Sequence, residues 1–368
     1  MLVLPDFPWN ALASARARAE EHSEGIVDLS VGSPVDPTPA VVRRALESTT
    51  DAHGYPTTQG AKQLREAIVE WYARIRGVNT LDPSSVIPTV GSKEFVGLLP
   101  TFLGLGPGDV VVHPAVAYPT YDIGARVVGA SPLPSDEPDE WPANTKLVWI
   151  NSPGNPTGHV DSVEVLAKAV ARARELGAVI VNDECYATLT WDVDTAPSIL
   201  DPRVTGGRND GVLAAYSLSK QSNLAGYRAA FVAGDSALIA GILETRKHLG
   251  LITPLPIQAA MIAGVRDDEH VTVQREIYRR RRAVLRPAVE SAGFRIDESV
   301  AGLYLWATRG EPAFDSVNRL ADLGSLVAPG SVYGDSGANH VRIALTATDE
   351  RIQEAARRLS EFYPRILF

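Results

Sequence analysis

Cysteine is all but missing: Cys185 is the only one in 368 residues, so no disulfide can close within the chain. A chain of this length needs none, because its core can bury enough surface unaided. A reducing compartment is the matching expectation. No apolar run approaches the ~20 residues of a membrane span. The opening MLVLPDFPWN has neither the basic n-region nor the apolar h-region of a secretory signal. A cytoplasmic location is therefore expected. Positive charge is also in deficit, with 35 Lys+Arg against 44 Asp+Glu and a net charge of −9. That balance argues against general affinity for nucleic acid or acidic membranes. There is no internal repeat and no low-complexity linker. Hydrophobic residues at 45% and charged residues at 21% exclude intrinsic disorder. At ~150 residues per domain, the length fits two domains, or one large and one small.

What is present is a series of short β-branched runs separated by helical patterns. The runs are 86–90, 109–113, 146–151, 178–182, 212–217 and 229–234. Several are apolar without alternation, as in strands covered on both faces of a mainly parallel sheet. Segment 161–176 predicts a helix capped by Asp161 and stopped before Gly177. Alternation over 40–250 implies an α/β domain. Beyond it, a long basic helix over 271–291, the strands of GLYLWA and HVRIAL, and a final helix over 348–362 suggest a second, α+β domain. The arginine run 279–282 reads as a solvated helix face rather than a nucleic-acid site.

Three segments carry candidate chemistry. SLSKQSNLAGYR places Lys220 after a strand and two serines, with Arg228 eight residues later. A lysine at a strand end is a Schiff-base nucleophile where its surroundings free the amine. Ser217, Ser219 and Arg228 supply hydroxyls and a guanidinium for a phosphate. Alone, Lys220 reads equally as a surface lysine. NDECYATL puts Asp183 at the end of an apolar strand and Tyr186 three residues on. Ligands gather at the carboxyl ends of strands in open α/β sheets. A carboxylate there can hold a proton on a pyridine nitrogen, which makes pyridoxal 5′-phosphate (PLP) an electron sink. Taken singly, Asp183 also reads as a helix N-cap, Tyr186 as a core aromatic and Cys185 as a buried small residue. NSPGNPTG follows another strand, and Asn155 can donate to the phenolic oxygen of the PLP ring, as Tyr186 can; a plain structural turn is the alternative.

The ordered combination of NPTG, DECY and SLSK with its distant arginine resembles the class I aminotransferases of PLP fold type I, over nearly the whole chain. The resemblance implies a large domain around a mainly parallel seven-stranded sheet, over 36–265. It implies a small domain from both chain ends, 1–35 and 266–368. Lys220 then corresponds to the covalent anchor of PLP, Asp183 to the partner of its ring nitrogen, and Asn155 and Tyr186 to the donors to its phenolic oxygen. Ser217, Ser219 and Arg228 correspond to phosphate ligands, joined by the amides of Ser92 and Lys93 at a helix N-terminus. Tyr118 matches the aromatic that stacks on the ring. Tyr55 matches the tyrosine that reaches a neighbouring subunit's phosphate, which implies a homodimer. Arg342 matches the arginine that grips the substrate α-carboxylate, and Gly32 the segment that closes over the substrate.

The chain departs from aspartate-specific members in having tyrosine at 118 and no evident arginine for a distal carboxylate. Arg246 and Lys247 lie in the right region of the sequence for that role. The wording of PWNALASARARAEEH, VDLSVGSPVDPTP and TVGSKEFVGLLPTFLGLGPGD is similar to N-succinyl-L,L-diaminopimelate aminotransferases of lysine biosynthesis. The resemblance thus implies glutamate and 2-oxoglutarate as the shared pair. A PLP-dependent C–S β-lyase, or a non-catalytic amino-acid sensor, are the rival readings of the same fold.

Overall fold

The computed structural model describes residues 4–362. Its centre is a seven-stranded sheet: β1 (Val86–Val90), β2 (Val110–His113), β3 (Ser131–Pro134), β4 (Thr145–Ile150), β5 (Val179–Asp183), β6 (Val212–Ser217) and β7 (Ala229–Gly234). The spatial order is β1-β7-β6-β5-β4-β2-β3. Only β7 runs against its neighbours, pairing antiparallel with both β1 and β6. The other pairs are parallel, so the sheet is mixed and mainly parallel as expected. β6 and β7 are buried at every position, as befits strands covered on both faces.

One strand of this sheet has no counterpart among the runs read from sequence. β3 is SPLP, whose two prolines suppress any strand signal; proline is tolerated there because β3 is the sheet's edge. The helix expected from Asp161 begins instead at Val163 and runs to Leu176. Its cap is Ser162, whose hydroxyl accepts from the Val165 amide. Asp161 is drawn away to His159, 3.3 Å distant.

A four-stranded antiparallel sheet forms from the C-terminal part: β8 (Arg295–Asp297), β9 (Tyr304–Thr308), β10 (Ala328–Pro329) and β11 (His340–Ala344). The N-terminal strand Val27–Asp28 pairs with Ser325–Leu326, so the two chain ends meet in one core. The long helix is Glu269–Ser291 and the last helix Asp349–Leu359. The arginine run on the long helix is neutralised along its length. Arg279 bonds Glu276, Arg281 bridges Asp36 and Asp349, and Arg282 pairs with Asp192. Residues 1–3 and 363–368 of the expected small domain lie outside the described residues.

Candidate active site

The carboxyl ends of β1, β4, β5 and β6 converge on a cavity of about 460 Å³. Parallel packing brings about this convergence: each strand ends on the same side and hands its next residues to one rim. Ser92, Lys93, Tyr118, Asn155, Asp183, Tyr186, Ser217, Ser219, Lys220, Arg228, Arg342 and Gly32 all line it. Tyr55 does not; its side chain is fully exposed on this chain.

Local sequence accounts for each placement. Ser217 ends β6 and caps the short helix Leu218–Gln221 by accepting from the Ser219 amide, which turns Lys220 inward. The Lys220 ammonium donates to the Gly32 carbonyl. Gly32 is glycine for a steric reason, since a Cβ there would collide with the Tyr304 hydroxyl. Gly91 has φ +78°, and a Cβ on it would strike the Arg228 guanidinium. That close approach lays Arg228 over the turn opening the helix Ser92–Phe102. Arg228 itself has φ +56° and donates to the Ala225 carbonyl at 2.8 Å, folding its side chain back into the cradle.

Asp183 is buried at the end of β5 and accepts from the Tyr121 hydroxyl at 3.0 Å and the Cys185 amide at 3.3 Å. Burial pushes its carboxyl above the ordinary value, while those hydrogen bonds and the Lys220 charge pull the other way. No helix follows it, which removes the N-cap reading. Asn151 donates to the Asp183 carbonyl at 2.9 Å and accepts from the Asn155 amide at 2.8 Å, so the NPTG turn and the DECY segment are tied together.

Arg342 on β11 is buried. It donates to Asn155 Oδ1 at 2.9 Å and to the Ser30 carbonyl at 2.6 Å. Its guanidinium lies 4.0 Å from the Tyr304 ring centroid and 5.1 Å from that of Tyr333, an aromatic slot that fixes its plane. The Tyr186 and Tyr304 hydroxyls are 3.1 Å apart. Burial pushes the Tyr186 phenol up. Burial opposes ionisation of Tyr304 as well, yet the charges of Arg342 and Lys220 outweigh it and bring that phenol down.

The structure rules out Arg246 and Lys247, which lie in the right region of the sequence, as ligands of a distal carboxylate in this cavity. The Arg246 side chain is fully buried and paired with Glu94 at 2.7 Å, away from the cavity lining. Lys247 pairs with Glu244 on its own helix at 2.6 Å. Conversely, sequence reasoning missed Tyr121 and Tyr304. Tyr121 stands three residues after Tyr118, in the first turn of the helix Thr120–Val127, with the two ring centroids 6.0 Å apart. Tyr304 sits in an apolar strand and gave no polar signal.

The family model described as aminotransferase class I and II matches residues 24–359. The chain belongs to that family. It is 54% identical to 4-dedimethylamino-4-oxo-anhydrotetracycline transaminase OxyQ of Streptomyces rimosus, covering 98% of this chain and 100% of that one. It is 32% identical to an LL-diaminopimelate aminotransferase of Aquifex aeolicus, over 97% of this chain and 96% of the relative. Among solved structures, an aminotransferase from Neisseria meningitidis superposes with a TM-score of 0.89 at 27% identity, covering 98% of both chains. Membership makes the chain a PLP-dependent aminotransferase of the α/β fold type I, acting on amino acids and 2-oxo acids. The cavity fits that cofactor on its own chemistry. A lysine amine, a buried carboxylate and a hydroxyl–guanidinium cradle at a helix N-terminus share one 460 Å³ space. The buried Arg342 Nε has no partner among the described residues.

Proposed function

We propose that this aminotransferase acts on N-succinyl-L,L-2,6-diaminopimelate with the 2-oxoglutarate/glutamate pair, in lysine biosynthesis. The observation that carries this reading is the cavity's cation content. Of its two guanidiniums among the described lining residues, Arg228 lies over the phosphate turn, leaving Arg342 for the α-carboxylate. Among the described lining residues no third arginine closes a short pocket of the kind aspartate would need. The exposed Lys93 instead lines the cavity with its ammonium 5.7 Å from the Phe7 and Tyr118 ring centroids, a cation suited to the remote carboxylate of a long substrate. The likeness to an LL-diaminopimelate aminotransferase supports the same class of substrate.

In this reading Lys220 anchors PLP, and Asp183 holds the proton on its ring nitrogen. Asn155 and Tyr186 donate to its phenolic oxygen, and Tyr118 stacks on its ring. Ser217, Ser219, Arg228 and the amides of Ser92 and Lys93 hold its phosphate. Bound PLP supplies an electron sink for the pair released at the substrate Cα. The Lys220 amine would serve as the base and acid that takes up and returns the proton at the substrate Cα. Arg342 grips the α-carboxylate in two parallel hydrogen bonds, and the Gly32 segment excludes water. Tyr55 reaches the phosphate of a second copy, so the working unit is a cytoplasmic homodimer. The large domain spans 36–265 and the small one 1–35 with 266–368. The break between helices Leu255–Arg266 and Glu269–Ser291 supports that boundary.

A second reading comes from the 54% identity to a transaminase named for an anhydrotetracycline ketone: amination of a bulky polycyclic ketone in the same cavity. Measuring kcat/KM for succinyl-diaminopimelate, aspartate and glutamate with a common acceptor separates these. The diaminopimelate derivative is expected at least ~10-fold above aspartate, a gap of only ~1.4 kcal/mol. Preference for aspartate, alanine or an aromatic amino acid overturns the substrate. Glutamate-dependent amination of a polycyclic ketone, without turnover of the diaminopimelate derivative, establishes the second reading.

A further inference from the structure

We infer that Arg246 is a positioning residue for the phosphate cradle, and that it cancels the carboxylate of Glu94 in the first turn of the cradle helix. The inference rests on the reading of Ser92, Lys93 and Arg228 as phosphate ligands.

Glu94 lies two residues beyond Ser92, in the first turn of Ser92–Phe102. One carboxylate oxygen accepts from the Val90 amide at 3.1 Å, tying down the chain reversal at Gly91 that Arg228 covers. The other accepts from Arg246 Nη1 at 2.7 Å. Arg246 comes from a different helix, Ser236–Leu249, and its side chain is fully buried. It also donates to the Leu251 carbonyl at 3.2 Å and lies 5.8 Å from the Phe102 ring centroid.

This arrangement solves an electrostatic conflict. The N-terminus of a helix carries roughly half a positive charge, and that charge is what attracts a phosphate. A bare carboxylate in the same first turn would offset it and repel a dianion. Burial weakens screening and makes the repulsion stronger than on a surface. The turn nevertheless uses the carboxylate, because Glu94 satisfies the Val90 amide and fixes the loop that places the Ser92 and Lys93 amides. Arg246 resolves the conflict by neutralising the carboxylate from behind, without itself lining the cavity. The sequence marks Arg246 as a charge near the site; its structural partner shows that it faces Glu94 and not a substrate.

Two probes separate charge from architecture: PLP and pyridoxal, which lacks the phosphate. Each is titrated into full-length protein stripped of cofactor, following cofactor absorbance. Arg246→Met is expected to weaken PLP by about tenfold or more, since it leaves a carboxylate beside a dianion, and to leave pyridoxal nearly unchanged. Adding Glu94→Gln, which keeps an acceptor for Val90 but removes the charge, is expected to restore PLP binding, and Arg246→Lys to retain it. If Arg246→Met does not fold, Arg246→Gln, which keeps a donor for the Leu251 carbonyl but removes the charge, carries the same test. Equal losses of PLP and pyridoxal in Arg246→Met, or no recovery in the double variant, overturn the inference. Arg228→Ala serves as the control on the cradle. If it too weakens PLP and pyridoxal equally, the cradle reading falls with the inference. If it discriminates between them and Arg246→Met does not, only the inference falls.

Discussion

Tyr121 donates a 3.0 Å hydrogen bond to Asp183, and both side chains are buried. The bond joins the helix after β2 to the tip of β5, and it holds one carboxylate oxygen in place while the other accepts from the Cys185 amide. Burial alone would drive this carboxyl towards its neutral form. A pyridinium proton held opposite it, as proposed, would restore the charged form.

Asp183→Asn is therefore expected to bind PLP and lose kcat by on the order of 100-fold or more, because an amide cannot hold the ring proton. Tyr121→Phe removes one bond to a charged group, worth ~1.5–3 kcal/mol, and should lie between parent and Asp183→Asn. Steady-state kinetics on both variants checks the order. Near-normal turnover in Asp183→Asn removes Asp183 from its role.

Arg342 is locked by Asn155, Ser30 and the Tyr304 ring, so only a planar fork fits the slot. Arg342→Lys should lower kcat/KM for the amino donor and for 2-oxoglutarate together, each by tenfold or more, about 1.4 kcal/mol per factor of ten. Single-turnover rates for the two half-reactions provide the measurement. Loss in one half alone would place the α-carboxylate elsewhere.

Much of this was readable in the sequence, and the failures have identifiable causes. The segments holding Lys220, Asp183 and Asn155 declare themselves because strand ends, turn residues and polar side chains coincide in short stretches. β3 escapes because its prolines look like loop, and only its edge position makes them tolerable. Arg246 misleads because a sequence displays a charge but not the Glu94 that consumes it, 152 residues away. Tyr304 is silent because its partners Tyr186 and Arg342 come from separate segments, joined only by the fold.

His159, at the end of the NPTG turn, meets Asp161 at 3.3 Å and Glu298 at 3.0 Å. Its bond to Asp161, opposed by burial and aided by Glu298, raises it from 6.5 to about 9. A raised folded-state pKa means that its stabilisation is complete below about pH 6.5 and lost as pH rises through about 9. His159→Gln should melt below the parent at neutral pH, with the gap closing above about pH 9. Thermal unfolding at a series of pH values checks this, and a gap independent of pH would contradict it.

Tyr55 is fully exposed on the single chain, in keeping with a side chain meant for a second copy. Light scattering at assay concentration is expected to give a dimer. Tyr55→Phe should loosen PLP by the loss of one hydrogen bond to a charged group, ~1.5–3 kcal/mol. A fully active monomer would overturn the shared site.

Most direct is the covalent anchor. Borohydride reduction of the PLP-loaded protein, followed by peptide mass mapping, should place the cofactor's added mass on Lys220 alone, while Lys220→Ala still binds PLP but carries no label and gives no transamination. A label on another lysine, or ordinary turnover in Lys220→Ala, would contradict the site described here.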